Sequence, residues 1–393
     1  MTSFADPIAS DALAAPAGIS PAAQVPPAWL DQIRDARGRR VRLRVRGGGS
    51  KDRLGDASQG EVLNTRDWSG IVAYEPSELV ITARAGTPLM DVEAALAERG
   101  QCLAFEPPRW GGACSRSTIG GVVAAGLSGP SRATRGAVRD HTLGVRMING
   151  RAQALRFGGT VMKNVAGFDL SRLMVGSMGT LGVLAEVSLK VLPQPVATAT
   201  LRFEMSQAQA ITQVNQWAGQ PLPLDASAWW DGMLVLRLSG ARAAVQAGMQ
   251  SLGKQAGGEL IEEAMAAAFW TGLRDQQDEF FVDANTLVNA PGDGPAATLW
   301  RLSVPATTGP LPLHGETLVE WFGAQRWLCT TAAPTVIHEA VARASGHALA
   351  WSSQLPQSVV LPEVLRRLHR QVQQAFDPDG VFDTGRLWPQ ADR

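Results

Sequence analysis

Three consecutive glycines flanked by cations open the chemistry of this chain: RVRGGGSK, Arg44 to Lys51, follows a run that alternates like a strand. Consecutive glycines can adopt positive φ and turn successive N–H groups inward, which makes a concave nest for phosphate oxygens. A pyrophosphate is the natural guest, and a plain glycine hairpin is the competing reading. The run matches neither GxGxxG nor GxxxxGK[ST], so nicotinamide Rossmann and Walker-type sites both lose support. A second glycine-rich block follows. Residues 111 to 190 hold 15 glycines in 80 positions, whereas 191 to 393 hold 16 in 203, so the need for bare backbone is confined to the first half.

Acid–base chemistry has few carriers. Of the five histidines, His141 (RDHTLG) and His347 (SGHALAW) are the candidate general bases, each against a plain core or surface role. His314, His338 and His369 have no visible companions. Neither His nor Cys clusters at ligand spacing, so no metal site is expected. Cys102, Cys114 and Cys329 form no CxxC pair and read as reduced thiols of a cytosolic-type compartment. The 36 basic and 36 acidic side chains cancel, which excludes a bulk attraction to nucleic acid or to an anionic membrane. No apolar run reaches the ~18 residues of a membrane span, and the N-terminus lacks the pattern of a secretory signal.

The elements that must position these groups divide the chain into four. Residues 1–28, half Ala and Pro, read as a flexible leader. Residues 29–193 form the first domain: a helix over 28–37, the VRLRVR strand, two strands around the Pro76–Ser77 turn, a helix from Thr87 to Arg99, and a closing strand in LGVLAEVSLKVLP. Residues 194–358 return to ordinary alternation, with strands in LRFEM, SAWW, MLVLRL, LWRLSVP, TLVEWF and RWLCT and helices over 206–217, 241–253, 262–275 and 333–345. That pattern predicts an α+β cap with a largely antiparallel sheet. Residues 359–393 are a helix and a turn-rich tail, FDPDGVFDTGRLWP, returning to the first domain.

The ordered set EPPRWGGACSRSTIGGVVAAGLSGPSRATRGAVRDHTLGVRMINGRA and KNVAGFDLSRLMVGSMGTLGVLAEVSLKVLP resembles the flavin-binding domain of the vanillyl-alcohol oxidase superfamily, the PCMH-type FAD domain, over about residues 40–193. Within it the chain is most similar to the FAD-binding E subunits of glycolate oxidase (glycolate dehydrogenase). Its ending is similar to their DP-G-F-N-P-G-R-L, with Asp383 and Thr384 at the Asn and Pro positions. The resemblance implies a two-subdomain PCMH-type FAD domain plus cap. Gly47, Gly48, Gly49 and Ser50 would cradle the FAD pyrophosphate, with Lys51 or Arg46 offsetting its charge. Pro107, Thr118, Ile119, Gly120 and Gly121 would pass close to the ribityl chain and ring, with helix-terminal N–H groups favouring the phosphates. Gly126, Ser128, Arg135, Gly136 and Asp140 match a further segment, and Gly179, Gly182 and Val183 one along the adenine half.

Relatives that bind flavin covalently carry a His where this chain has Ser50 and Lys51, so noncovalent FAD is expected. Cys114 lies where some relatives form a second link; an inert thiol is its expected role. The resemblance further implies a hydroxy-acid dehydrogenase complex, with a second related FAD subunit and an iron–sulfur subunit as partners and glycolate or another small 2-hydroxy acid as substrate. The chain has no Cys ladder for a cluster of its own. It also lacks the His-Gly-x-Gly signature of substrate-oxidising members, so whether its own flavin meets substrate stays open. A cytoplasmic location is expected, with peripheral attachment to the inner membrane only through partners. A self-sufficient FAD oxidase or dehydrogenase of a sugar or hydroxy acid and a non-catalytic assembly subunit are the alternatives.

Overall fold

A computed structural model describes residues 25–56, 59–111, 115–160, 169–290, 295–352 and 361–387. The first helix, α1 (Pro27–Arg39), starts with proline where no N–H is needed and buries the stripe Trp29, Leu30, Ile33 and Ala36. It stops at Arg40, whose φ of 56° is left-handed. Strands β1 (Leu43–Arg46) and β2 (Glu61–Asn64) then pair in parallel, and the glycine run lies at the end of β1.

The first main sheet takes five antiparallel strands: β3 (Ile71–Glu75), β4 (Val80–Arg84), β6 (Thr142–Ile148), β7 (Ala154–Gly158) and β8 (Val183–Lys190), in the order β3-β4-β8-β6-β7. Between these come α2 (Leu89–Ala97), β5 (Gln101–Cys102), α3 (Ile119–Ala125), α4 (Arg132–Arg135), α5 (Val138–His141) and α6 (Leu170–Leu173). Leu89, Val92 and Leu96 of α2 and Ile119, Val122 and Val123 of α3 pack on Ile81, Val145, Val187 and Leu189 of the sheet as one core. Burial of that order, about 25 cal/mol per Å² of apolar surface, is what holds α3 against the sheet beside the glycine loop.

After β9 (Leu192–Pro193), which pairs with β5, the chain builds an eight-stranded antiparallel sheet. Its strands are β10 (Ala197–Glu204), β11 (Leu224–Trp230), β12 (Met233–Gly240), β13 (Glu259–Ile261), β14 (Thr298–Ser303), β15 (Glu316–Glu320), β16 (Gln325–Thr330) and β17 (His347–Ser352), in the order β13-β10-β12-β11-β15-β16-β14-β17. Helices α7 (Gln207–Ala218), α8 (Arg242–Ala256), α9 (Glu263–Asp275), α10 (Glu279–Val288) and α11 (Pro334–Arg343) cover it. The chain is α+β with an antiparallel cap sheet, as the alternation predicts. Helix α10 and strands β13 and β17 are additions to that reading.

The last helix, α12 (Glu363–Phe376), has no buried residue, yet the tail behind it is firmly seated. The Asp377 carboxylate accepts from the backbone N–H groups of Val381 and Phe382, at 2.9 and 2.7 Å, and Phe382 is wholly buried among α1, β1 and β8 residues. No helix among the described residues is long and apolar enough to cross a membrane.

Candidate functional site

The parallel β1–β2 pair ends at a cleft whose walls are the loop Gly47–Lys51, the start of α3 with Thr118, Gly120 and Gly121, and a third segment with Ser177, Met178, Gly179 and Gly182. Arg46 and Arg386 also line it. Side-chain hydroxyls tie the first two walls together: Ser50 Oγ lies 2.9 Å from Ser117 Oγ, and Ser115 Oγ donates to Ser117 Oγ at 3.0 Å. Thr118 caps α3 by accepting from the Gly121 N–H at 3.4 Å.

Two of the glycines serve this geometry for different reasons. A Cβ on Gly48 would stand 1.4 Å from the Arg116 carbonyl oxygen, so the loop can touch its neighbour only as bare backbone. A Cβ on Gly121 would meet only Thr118 Oγ1, at 3.2 Å; its missing side chain leaves room in the cleft itself.

The electrostatics separate two cations that the sequence leaves equivalent. Arg46 donates from Nε to Asp52 at 2.7 Å and is neutralised locally. Lys51, only 9% exposed, donates to Pro108 O at 3.0 Å and Ser117 Oγ at 3.3 Å, and sits 4.7 Å from the centre of the Trp110 ring. These partners are all uncharged. Burial, and then the neighbouring Arg53 guanidinium, push its ammonium down to about 8. Asp275 lies near enough to oppose that shift in part, but a buried ammonium whose hydrogen-bond partners are all neutral, in a glycine-lined cleft, fits a diphosphate.

Arg386, from the returning tail, is the site residue that sequence reasoning missed. Its Nε donates to Leu54 O at 2.9 Å and its Nη2 to Lys51 O at 2.6 Å, so the guanidinium clasps the loop that carries Lys51. The GRL of the ending was the only available signal.

Several expected site residues lie elsewhere. Ile119 and Val183 are wholly buried core residues, and Pro107 is buried outside the cleft. Gly126 caps the C-terminus of α3 with φ 65°. Arg135 reaches into the cap instead of a cofactor, donating to Asp225 Oδ1 at 2.5 Å and Ser239 Oγ at 2.6 Å. Gly136 bends the chain beside it, Ser128 Oγ accepts from the Val138 N–H, and Asp140 accepts from the Ala137 N–H while also lining the wider cleft described next. This segment docks the cap. His141 is corrected as a base candidate: it is 3% exposed, with Nε2 2.8 Å from Arg135 O and Nδ1 3.3 Å from Lys190 O, so both nitrogens face backbone carbonyls. His347 stands on the edge strand β17 and lines neither this cleft nor the wider one described next. Cys114 lies outside the described residues. Among the described residues no group of three His, Cys, Asp or Glu is placed to hold a metal ion.

A wider and mostly apolar cleft adjoins the first one and shares Ala125, Ser177, Met178 and Arg386 with it. Its far wall is the cap, through Arg301, Leu349 and Trp351, and its side is α12, through Leu365, Leu368 and His369. A planar group entering from the glycine cleft would thus meet the cap. The two domains close over this place with shared core: Leu54 and Trp110 pack into the cap cluster, and Trp110 lies edge-on to Trp351 at 6.0 Å.

Comparison with known proteins agrees with this arrangement. Residues 29–158 match the sequence pattern described as the FAD binding domain. Glycolate oxidase subunit GlcE of Escherichia coli (strain K12) is 45% identical over 361 residues, 92% of this chain and 97% of that one. Glycolate oxidase subunit GlcD of Bacillus subtilis (strain 168) is 32% identical over 166 residues, 42% of this chain and 34% of that one. Among solved structures, p-cresol methylhydroxylase with substrate bound superposes with a TM-score of 0.65 over 93% of this chain and 87% of its own, at 11% identity, a likeness of fold alone.

Proposed function

Since the chain belongs to the family of glycolate oxidase E subunits, FAD-dependent oxidoreductases, we propose that it is the corresponding FAD-binding subunit of a dehydrogenase complex that oxidises glycolate or a closely related 2-hydroxy acid. Its cofactor is FAD. The observation that carries the reading is the buried Lys51 ammonium, hydrogen-bonded only to neutral oxygens, in a cleft lined by Gly47, Gly48, Gly49, Gly120 and Gly121.

In this reading the Gly47–Ser50 backbone and Lys51 hold the pyrophosphate, and Arg386 keeps that loop in place. Gly121 would leave room for the cofactor, and Gly179 and Gly182, which line the same cleft, would lie beside it. FAD, bound noncovalently because Ser50 and Lys51 offer no His for a link, supplies two-electron acceptance from the α-carbon of the hydroxy acid. The contact of Trp110 with Trp351 joins the cap to the first domain at the far end. Electrons then pass to partners: a second, related FAD subunit and an iron–sulfur subunit.

Co-expression with the genes beside this one tests the reading. We expect the chain to copurify with a second flavoprotein and an iron–sulfur protein, and the assembly to reduce a quinone analogue with glycolate. A chain that purifies alone and yellow, and never associates, would remove the complex from the proposal.

A further inference from the structure

Two arginines at the seam between the domains make no ion pair among the described residues, although Glu320 lies near one and Asp140 near the other. Arg301, on β14, lines the wider cleft. Its Nε donates to Gln325 Oε1 at 2.7 Å, and among the described residues its terminal nitrogens have no hydrogen-bond partner and no carboxylate within 4 Å. Its guanidinium lies 5.3, 5.9 and 5.4 Å from the ring centres of Trp321, Trp327 and Trp351. Arg132, at the start of α4, lies 4.5 Å from the Trp321 ring and has no ion pair among the described residues. Three indoles thus stabilise the Arg301 cation through their faces and occupy the volume where a counter-ion side chain would otherwise sit.

The backbone that supplies Trp321 is strained. Trp321 and Phe322 have φ of 52° and 58°, a left-handed conformation that bulky side chains avoid. The surroundings over-determine it. Trp321 Nε1 donates to Gly129 O at 3.0 Å, the Phe322 N–H donates to Ser227 Oγ at 2.9 Å, and Asn215 Nδ2 donates to Phe322 O at 2.9 Å. Such strain is retained where it places a functional group. Here it fixes the indole against both arginines.

Gln325 completes the support. Its amide oxygen accepts from Arg301, and its Nε2 donates to Glu320 Oε2 at 2.9 Å, the same oxygen that accepts from Trp327 Nε1 at 2.6 Å. The amide therefore stands between Arg301 and the nearest acid, so that Glu320 orients the guanidinium without pairing with it. Burial and the Arg132 charge, opposed by Glu320, bring Arg301 down to about 10, still charged at neutral pH and with no carboxylate in direct contact.

The geometry points to Arg301 as the receptor for the carboxylate of a small organic acid, held in the cap against the flavin cleft of this same chain. The inference rests on the reading of the chain as a hydroxy-acid dehydrogenase subunit, and it goes further: this subunit carries a substrate site of its own. Arg301 Nη1 and Nη2 present the forked donors that match a carboxylate. Leu349 and Trp351 add apolar wall beside it.

The FAD-loaded full chain is titrated with oxalate, glycolate and the uncharged glycolamide, with the flavin difference spectrum and calorimetry as readouts. Both carboxylates should bind, and glycolamide about 30-fold more weakly, the scale of a charge-assisted hydrogen bond. R301M should lose about 30-fold in carboxylate affinity at unchanged FAD content, and R301K, with a charge but no fork, should fall between. Q325L, which leaves the charge but frees its orientation, should weaken oxalate by several-fold, and it keeps the inference testable if R301M folds poorly. Equal oxalate binding by wild type, R301M and R301K, or no carboxylate binding by wild type, overturns the inference. Turnover by the copurified complex is scored separately. A complex that oxidises glycolate while R301M binds oxalate normally refutes the receptor and leaves the function intact. A complex inert to all 2-hydroxy acids, whose oxalate binding still depends on Arg301, refutes the function and supports the receptor.

Discussion

Replacing Lys51 by methionine should move two equilibria in opposite directions. In the cofactor-free chain, burial lowers the ammonium from 10.5 to about 8. That difference corresponds to about 3 kcal/mol of native-state destabilisation by the charge at neutral pH. The side chain is 9% exposed, so solvent screens little of it. K51M keeps a similar volume over Trp110 and removes the charge, so the apo chain should gain up to about 3 kcal/mol at pH 7, less the hydrogen bonds to Pro108 O and Ser117 Oγ at about 1 kcal/mol each. FAD binding should respond the other way. If the diphosphate restores the ammonium to its ordinary value, its removal weakens FAD by up to about 100-fold. The sign with pH follows. Between about 8 and 10.5 the apo native state has released the proton that the unfolded chain still holds, so apo stability rises through that window. FAD affinity falls over the same window, because binding must recover the proton. Fluorescence titration of apo-protein with FAD at pH 7 to 10, with thermal melts of the same samples, measures both. A wild-type dissociation constant flat from pH 7 to 10 and unchanged in K51M would refute the assignment of Lys51 to the pyrophosphate.

Other substitutions test neighbouring parts of the argument. Burial pushes the Glu320 carboxyl from 4.5 up to about 7, so it destabilises the fold as pH rises from about 4.5 through 7, by about 3 kcal/mol; E320Q retains the acceptor for Trp327 and Gln325 and should flatten the difference in melting temperature between pH 5 and 8 relative to wild type. R386M, which frees the carbonyls of Lys51 and Leu54, should weaken FAD about tenfold while the cap stays folded, measured by flavin content after gel filtration. G121A should fold normally and lose FAD affinity, whereas G48A should damage the loop itself and lower the melting temperature even without FAD. D225A removes the carboxylate partner of Arg135 and leaves Arg237 with Glu106 alone, and should cost about 3 kcal/mol in chemical denaturation.

What was legible in the sequence, and what was not, divides along local against non-local causes. The helix Thr87–Arg99 and the strand in LGVLAEVSLKVLP carry their own periodicity, and they appear as α2 and β8 within a few residues. The glycine loop was legible because its chemistry is local too: a strand, three glycines and a cation. The partner of each cation was not. Arg46 and Lys51 look alike until Asp52 turns back on one and Ser117, 66 residues away, meets the other. The ordered GLSGPSRATRGAVRD segment matched a pattern, but a pattern does not say what a side chain faces. Arg135 faces Asp225, 90 residues further on, across a domain seam that no window contains. Helix α10 carries a local stripe as well, since Phe280, Phe281, Ala284 and Val288 recur at helical spacing and pack into the cap core, so it was legible although the sequence reading assigns no helix there.

Equal numbers of acids and bases exclude a bulk attraction to nucleic acid or to an anionic membrane, but the charges are sorted by place. Asp225 takes Arg135 and Arg237, and Arg237 also holds Glu106 at 2.7 Å, so acids and bases together form a lock that fastens the cap to the flavin domain. Buried pairs of that kind hold orientation more than they add stability. Among the described residues, two cations outside any ion pair line the two clefts, Lys51 the glycine cleft and Arg301 the wider one, with Arg386 clasping the loop between them. A cap locked in one orientation keeps Arg301 at a fixed separation from Lys51. That fixed separation is what a site with two anionic guests requires: one anchored by its diphosphate, the other by its carboxylate, with the reacting atoms held where the two clefts meet.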